Sequence, residues 1–87
     1  MNKYELTLLT ASEVEVESVR KLLEIVQGKV TDELKWGRRQ LSYPINKLLD
    51  AYYFTWMIEI EAKQMAAFKK SLNYNESLLR YLLLKVD

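Results

Sequence analysis

Three features of this 87-residue sequence predict an α+β fold, with two helices covering one face of a four-stranded antiparallel sheet. Four segments alternate in polarity or are dense in β-branched and aromatic residues; two others carry helical spacing. Their order along the chain is β-α-β-β-α-β, the ferredoxin-like, split-βαβ arrangement of one strand layer and one helix layer. The length suits one domain, residues 1–87, with a single core.

Each element has its own local signal. In "KYELTLL", Tyr4, Leu6 and Leu8 alternate with Glu5 and Thr7, which predicts a first strand with one buried face. "ASEVEVESVRKLLEIVQG" switches to the helical period. Ser12 and Glu15 have capping-box spacing, and Glu13, Glu15 and Glu17 favour the positive end of the helix dipole. Val16, Val19, Leu23 and Val26 form its apolar stripe, widened by Leu22, and Gly28 is placed to end it. "KVTDELKWGRRQLSYP" alternates through Val30, Asp32, Leu34 and Trp36, then slips by one position to Leu41 and Tyr43. One extra residue at Gly37 predicts a β-bulge. Pro44 is expected to end that strand, and "INKLLDA" to form a loop. "YYFTWMIEIE" reads as the third strand. "AKQMAAFKKSLN" reads as the second helix, with Met65, Phe68 and Leu72 inward and Lys69 and Lys70 outward. "ESLLRYLLLKV" reads as the last strand.

Composition narrows the function. The chain has no cysteine and no histidine, which removes disulfides, thiol chemistry, the usual neutral-pH acid–base and most zinc ligands. Glu59 and Glu61, expected to share a strand face, read as solvated or salt-bridged rather than as a catalytic pair. No catalytic residue, metal or cofactor is expected, and no segment reads as a signal peptide or membrane span. The chain is expected to be soluble and to stay where it is made.

Net charge is +1, but it is unevenly spread. Residues 1–33 carry four basic and seven acidic groups, whereas residues 34–87 carry nine and five. Lys35, Arg38, Arg39 and Lys47 lie in one stretch with no acid among them. Guanidinium groups next to a bulge suit phosphate, with Trp36 or Tyr43 in support. The same cations also suit a strand edge blunted against aggregation, or ion pairs with Asp32 and Glu33. The residues alone leave both readings open.

The sheet's second face is the other candidate surface. Phe54, Trp56, Ile58 and Ile60 share one parity, and Tyr53, Thr55 and Met57 the other; in the last strand both parities are largely apolar. Two helices cover only one face, so apolar surface is expected to remain open for a partner, the alternative being strand ends packed under loops. Base stacking of the RNA-recognition-motif kind is a poor match, because "AYYFTWMI" lacks the Lys/Arg-Gly start of that signature.

"WGRRQLSYPINK" resembles the central motif of the S6 family of bacterial small-subunit ribosomal proteins, which typically reads Gly-x-Arg-x-Leu-Ala-Tyr-Pro-Ile. "MNKYELTLL", "YYF" and "LNYNESLLRYLLLKVD" resemble the same family, in the same order, over essentially the whole chain. The resemblance implies a non-catalytic, cytoplasmic role in the ribosome. There the chain would bind the central domain of small-subunit ribosomal RNA as a heterodimer with ribosomal protein S18.

On that resemblance Lys35, Arg38, Arg39, Lys47 and Arg80 are the expected RNA contacts. Trp36, Tyr43, Tyr53, Met57, Leu82 and Leu84 are the expected partner contacts, with Leu41 helping Tyr43 to anchor the strand. Two departures stand out. Ala51 replaces a usual glycine, so a different turn is expected there. The chain also stops at Asp87, without the polar tail of many members, so contacts through a tail are expected to be lost or replaced. The alternative role is a ferredoxin-like regulatory domain that self-associates through its sheet and binds a small ligand. An acylphosphatase-like hydrolase comes third, because "LLTASE" offers no phosphate-cradling loop.

Overall fold

The structure, a computed structural model, describes residues 2–45, 47–75 and 78–86. Strand β1 (Asn2–Thr10) leads through a 3₁₀ turn (Glu13–Glu15) into helix α1 (Val16–Ile25). A hairpin of β2 (Lys29–Ile45) and β3 (Leu48–Ile60) follows, then α2 (Ala62–Tyr74) and β4 (Leu78–Val86). All pairings are antiparallel, in the spatial order β2-β3-β1-β4. The predicted order and class therefore hold, with β2 and β4 as the two edges. Among the described residues no helix is long and apolar enough to cross a membrane.

The core lies between the sheet and the helices. Tyr4, Leu6 and Leu8 of β1 and Phe54, Trp56, Ile58 and Ile60 of β3 meet Val16, Val19 and Leu23 of α1 and Met65, Phe68 and Leu72 of α2. The inward parities of the two central strands and both helical stripes are the predicted ones. Burial of this order, at roughly 1.5–3 kcal/mol for each large side chain, is the main force joining the layers.

Both ends of α1 differ in detail from expectation. Ser12 makes no side-chain cap; instead Glu15 Oε2 accepts a hydrogen bond from the Ala11 N–H at 3.2 Å, and the first turn winds as 3₁₀. At the far end Gly28 N–H reaches Leu23 O and Gln27 N–H reaches Glu24 O, both at 2.9 Å, in the Schellman pattern. Gln27, not Gly28, takes the left-handed conformation (φ 62°). Glycine is needed at 28 for closeness: a Cβ there would stand 2.5 Å from Leu23 Cδ1 and 3.2 Å from Glu59 O.

The hairpin holds the largest corrections. The bulge at Gly37 is present: the β2–β3 register slips between Lys35 and Gly37, and Gly37 has φ 81°. A second slip, between Val30 and Asp32, was not foreseen. It turns Val30 towards the core, opposite Ile58, while Asp32 and Leu34 face the other side, opposite Met57 and Thr55. Pro44 does not end β2, and "INKLLDA" is not a loop. Ile45 still pairs with Leu48, and the ladder skips residues 41–44. A proline is tolerated there because β2 is an edge strand and that stretch makes no ladder pairs. Ala51 consequently lies inside β3, buried, rather than in a turn.

Two smaller expectations also change. Glu61 is not on a strand face with Glu59; it occupies the N-cap position of α2. The last strand begins at Leu78, with a bulge where the register slips between Leu9 and Thr10; Glu76 and Ser77 lie outside the described residues.

Candidate nucleic-acid and partner interface

No residue of β2 is fully buried. The strand is fixed by its ladder to β3, by Val30 packed against the core and by a few polar contacts. Glu33 Oε2 accepts from Trp56 Nε1 and from Arg20 Nη2, both at 2.9 Å, and the Arg20 guanidinium lies over the Trp56 ring, 4.7 Å from its centroid. On the opposite face Trp36 Nε1 donates to Thr55 Oγ1 at 2.9 Å. Arg38 Nε donates to Asp50 Oδ2 at 2.8 Å, and Arg38 Nη2 closes the same ion pair. Finally, Arg80 Nη1 of β4 donates to Tyr43 Oη at 3.0 Å, with its guanidinium over that ring at 5.5 Å.

This geometry sorts the predicted cations. Residues opposite one another in a ladder point to the same face. Lys35 and Arg38 pair with Phe54 and Tyr52, on the helix side; Arg39 pairs with Ala51, on the open side. Lys47, in the turn after β2, takes φ 68°. Arg80 lies on β4, the opposite edge of the sheet, across from Leu9. The five are all exposed but do not form one cluster. Arg38 is engaged by Asp50, whose hydrogen bond and charge push its already high pKa further up. Among the described residues Lys35, Arg39 and Lys47 have no ion-pair partner. The alternative, pairing of these cations with Asp32 and Glu33, is not formed among the described residues: Glu33 serves Arg20 and Trp56 instead.

The six predicted partner residues do share a surface. Tyr53 and Met57 of β3, and Leu82 and Leu84 of β4 opposite Thr7 and Glu5, point away from the helices. Trp36 lies over the same face through Thr55, and Tyr43 reaches it through Arg80. Leu82, Leu84 and Trp36 are 57%, 48% and 46% exposed, whereas Tyr53 and Met57 are half-buried. At one end the excursion of residues 41–44 lies over the sheet. It encloses a cavity of about 210 Å³ with Leu9, Tyr53 and Arg80.

Sequence reasoning missed the roles of Asp50 and Arg20, and assigned Glu33 other partners. The signal for Asp50 was a hairpin closed by the pair Ile45–Leu48, which carries Asp50 to a rung next to Arg38. Among the described residues no cluster of acidic, cysteine or histidine side chains is arranged to hold a metal ion.

A four-stranded antiparallel sheet with two helices on one face and an exposed apolar second face makes this a ferredoxin-like α+β protein. Its solved structural relatives include 30S ribosomal protein S6 from Thermotoga maritima, with TM-score 0.83 and 18% identity over 98% of this chain and 87% of that one. An uncharacterized protein from the same organism has TM-score 0.61 and 15% identity over 99% and 98% of the two chains; these likenesses establish the fold. In sequence, the chain is 32% identical to small ribosomal subunit protein bS6 of Dictyoglomus turgidum, covering 95% of this chain and 93% of that protein. The family model for ribosomal protein S6 matches residues 3–85, and the chain belongs to that family. It is a ribosomal-protein family of the small subunit, not an enzyme family.

Proposed function

We propose that this chain binds the central domain of small-subunit ribosomal RNA in the cytoplasm, as a heterodimer with ribosomal protein S18. The observation that carries this reading is the division of labour on β2. Lys35, Arg39 and Lys47 stand exposed along the edge and, among the described residues, without acidic partners, next to an apolar sheet face that includes Trp36, Leu82 and Leu84. The edge supplies phosphate contacts, and the apolar face receives the protein partner. Arg38 is held by Asp50 and contributes less to RNA than Arg39. A net charge of +1 gives modest affinity for RNA alone, which suits binding as a pair.

The test is binding of the purified chain to a central-domain RNA fragment across a salt series, with and without S18. Arg39→Ala lowers the log–log salt slope by about 0.7–0.9, the effect of one lost phosphate contact, and Arg38→Ala lowers it less. A stable homodimer that ignores the RNA in both settings would refute this reading and favour the self-associating regulatory domain.

A further inference from the structure

The helix layer carries a second charged surface, on the side of the molecule away from the open sheet face. Every charged residue of α2 is a lysine, and Lys63, Lys69 and Lys70 form no ion pair among the described residues. The helical period places Lys63, Ala67, Lys70 and Tyr74 in one row, and all four are exposed. Ala67 keeps the row low between the two lysines. Tyr74 closes it at 76% exposure, well above Trp36 and Tyr43, so its ring is presented to solvent rather than packed.

Between α1 and α2 lies a cleft of about 500 Å³, lined by Ser18, Leu22, Lys70, Ser71, Tyr74 and Asn75. Its volume falls in the range of small-ligand sites. Leu22 gives one apolar wall and Tyr74 an aromatic one. The rim is polar and fixed: Ser18 Oγ donates to Glu15 O at 2.8 Å and accepts from Asn75 Nδ2 at 3.0 Å.

We propose that this cleft holds one unstacked nucleotide of single-stranded RNA, its base against the Tyr74 ring and its phosphate on Lys70. Lys63, two turns and about 10 Å along the helix, takes a neighbouring phosphate. An acidic peptide would satisfy the lysines but leave the solvent-facing ring unused, whereas every nucleobase has a face to stack. The inference rests on the ribosomal reading only for the source of the strand. It adds a second RNA contact, on the layer opposite β2, so that the chain bridges two RNA segments.

The experiment uses the full chain and a single-stranded oligouridylate, combining photo-crosslinking with anisotropy titration. An adduct on Tyr74 is expected. Tyr74→Ala weakens binding about tenfold, while Tyr74→Phe, which keeps the ring, stays within about twofold. Changing both Lys63 and Lys70 to alanine lowers the log–log salt slope by about 1.4, at about 0.7 for each single-strand contact. All these positions are exposed, so unchanged thermal unfolding verifies that the variants fold. Adducts confined to the β2 edge, with Tyr74→Ala silent, overturn this site and leave the Arg39 result standing. Displacement by an acidic peptide with Tyr74→Ala silent shows a surface that reads charge only and also overturns it.

Discussion

Removing the Glu33 carboxylate tests whether the edge strand is fixed to the body by one half-buried hydrogen-bond acceptor. Trp56 has no exposed surface, and its indole N–H has Glu33 Oε2 as its acceptor at 2.9 Å. Glu33→Ala leaves that donor without a partner in the core, at a cost of about 1.5–3 kcal/mol for a hydrogen bond to a charged group. The Arg20–Glu33 ion pair adds less, under about 1 kcal/mol, because its side chains are 29% and 24% exposed and solvent screens them. The expected total is about 2 kcal/mol.

For a domain of this size that lowers the thermal midpoint by roughly 8–16 °C. The assay is urea unfolding of four proteins: the parent, Glu33→Ala, Trp56→Phe and the double variant. Phenylalanine has no N–H to strand, so Glu33→Ala costs about 1–2 kcal/mol less in that background. Equal costs in both backgrounds, or a loss below about 0.5 kcal/mol in the parent, would refute the reasoning.

Gly37→Ala destabilises by about 1 kcal/mol from backbone strain alone, since φ 81° disfavours a side chain and no atom lies within 4 Å of the new Cβ; urea unfolding measures it. Gly28→Ala costs about 1–3 kcal/mol for a different reason, the contact with Leu23 Cδ1, and pairing it with Leu23→Ala relieves part of that cost in the same assay. Gln27→Gly raises stability by about 0.5–1 kcal/mol, because the left-handed residue then carries no Cβ. Tyr43→Ala and Arg80→Ala weaken RNA binding by similar amounts, and the double variant is no worse than either, because Tyr43 orients the guanidinium; additive losses would show that Arg80 acts without it.

The parts of the fold legible in the sequence are those where one residue pattern meets one physical cause. The inward parity of "ELTLL" and "FTWMIEI" and the stripe Val16, Val19, Leu23 are read directly, because burial selects apolar side chains at a fixed period. The Gly37 bulge is legible because the parity slip coincides with a glycine. The Val30–Asp32 slip is not: Thr31 is an ordinary strand residue, and pairing with β3 decides the register. Pro44 misled because its usual effect, ending a central strand, does not apply to an unpaired stretch on an edge. The surface residues divide in the same way. Tyr53, Met57, Leu82 and Leu84 of the open face follow from alternation, whereas the engagement of Arg38 by Asp50 depends on a rung of the hairpin that local sequence does not encode.

The contrast between β2 and its neighbours bears on how the edge works. β1 buries Leu6 and Leu8, and β3 buries Phe54, Trp56, Ile58 and Ile60, so exposing their ladders means opening the core. β2 buries no side chain completely: apart from Val30 at its start, which packs against the core, its side-chain hydrogen bonds and ion pairs with α1, β3 and β4 are mostly reachable by water. Such contacts contribute about 1 kcal/mol each or less where exposed, so local opening at β2 costs less free energy than global unfolding. The Glu33–Trp56 bond pins the strand near its start, while the stretch from Trp36 to Pro44 depends on Thr55, Asp50 and Arg80, at the surface. Of the proposed recognition residues, Trp36, Arg39 and Tyr43 therefore occupy the part of the sheet that can change its side-chain partners with the core intact.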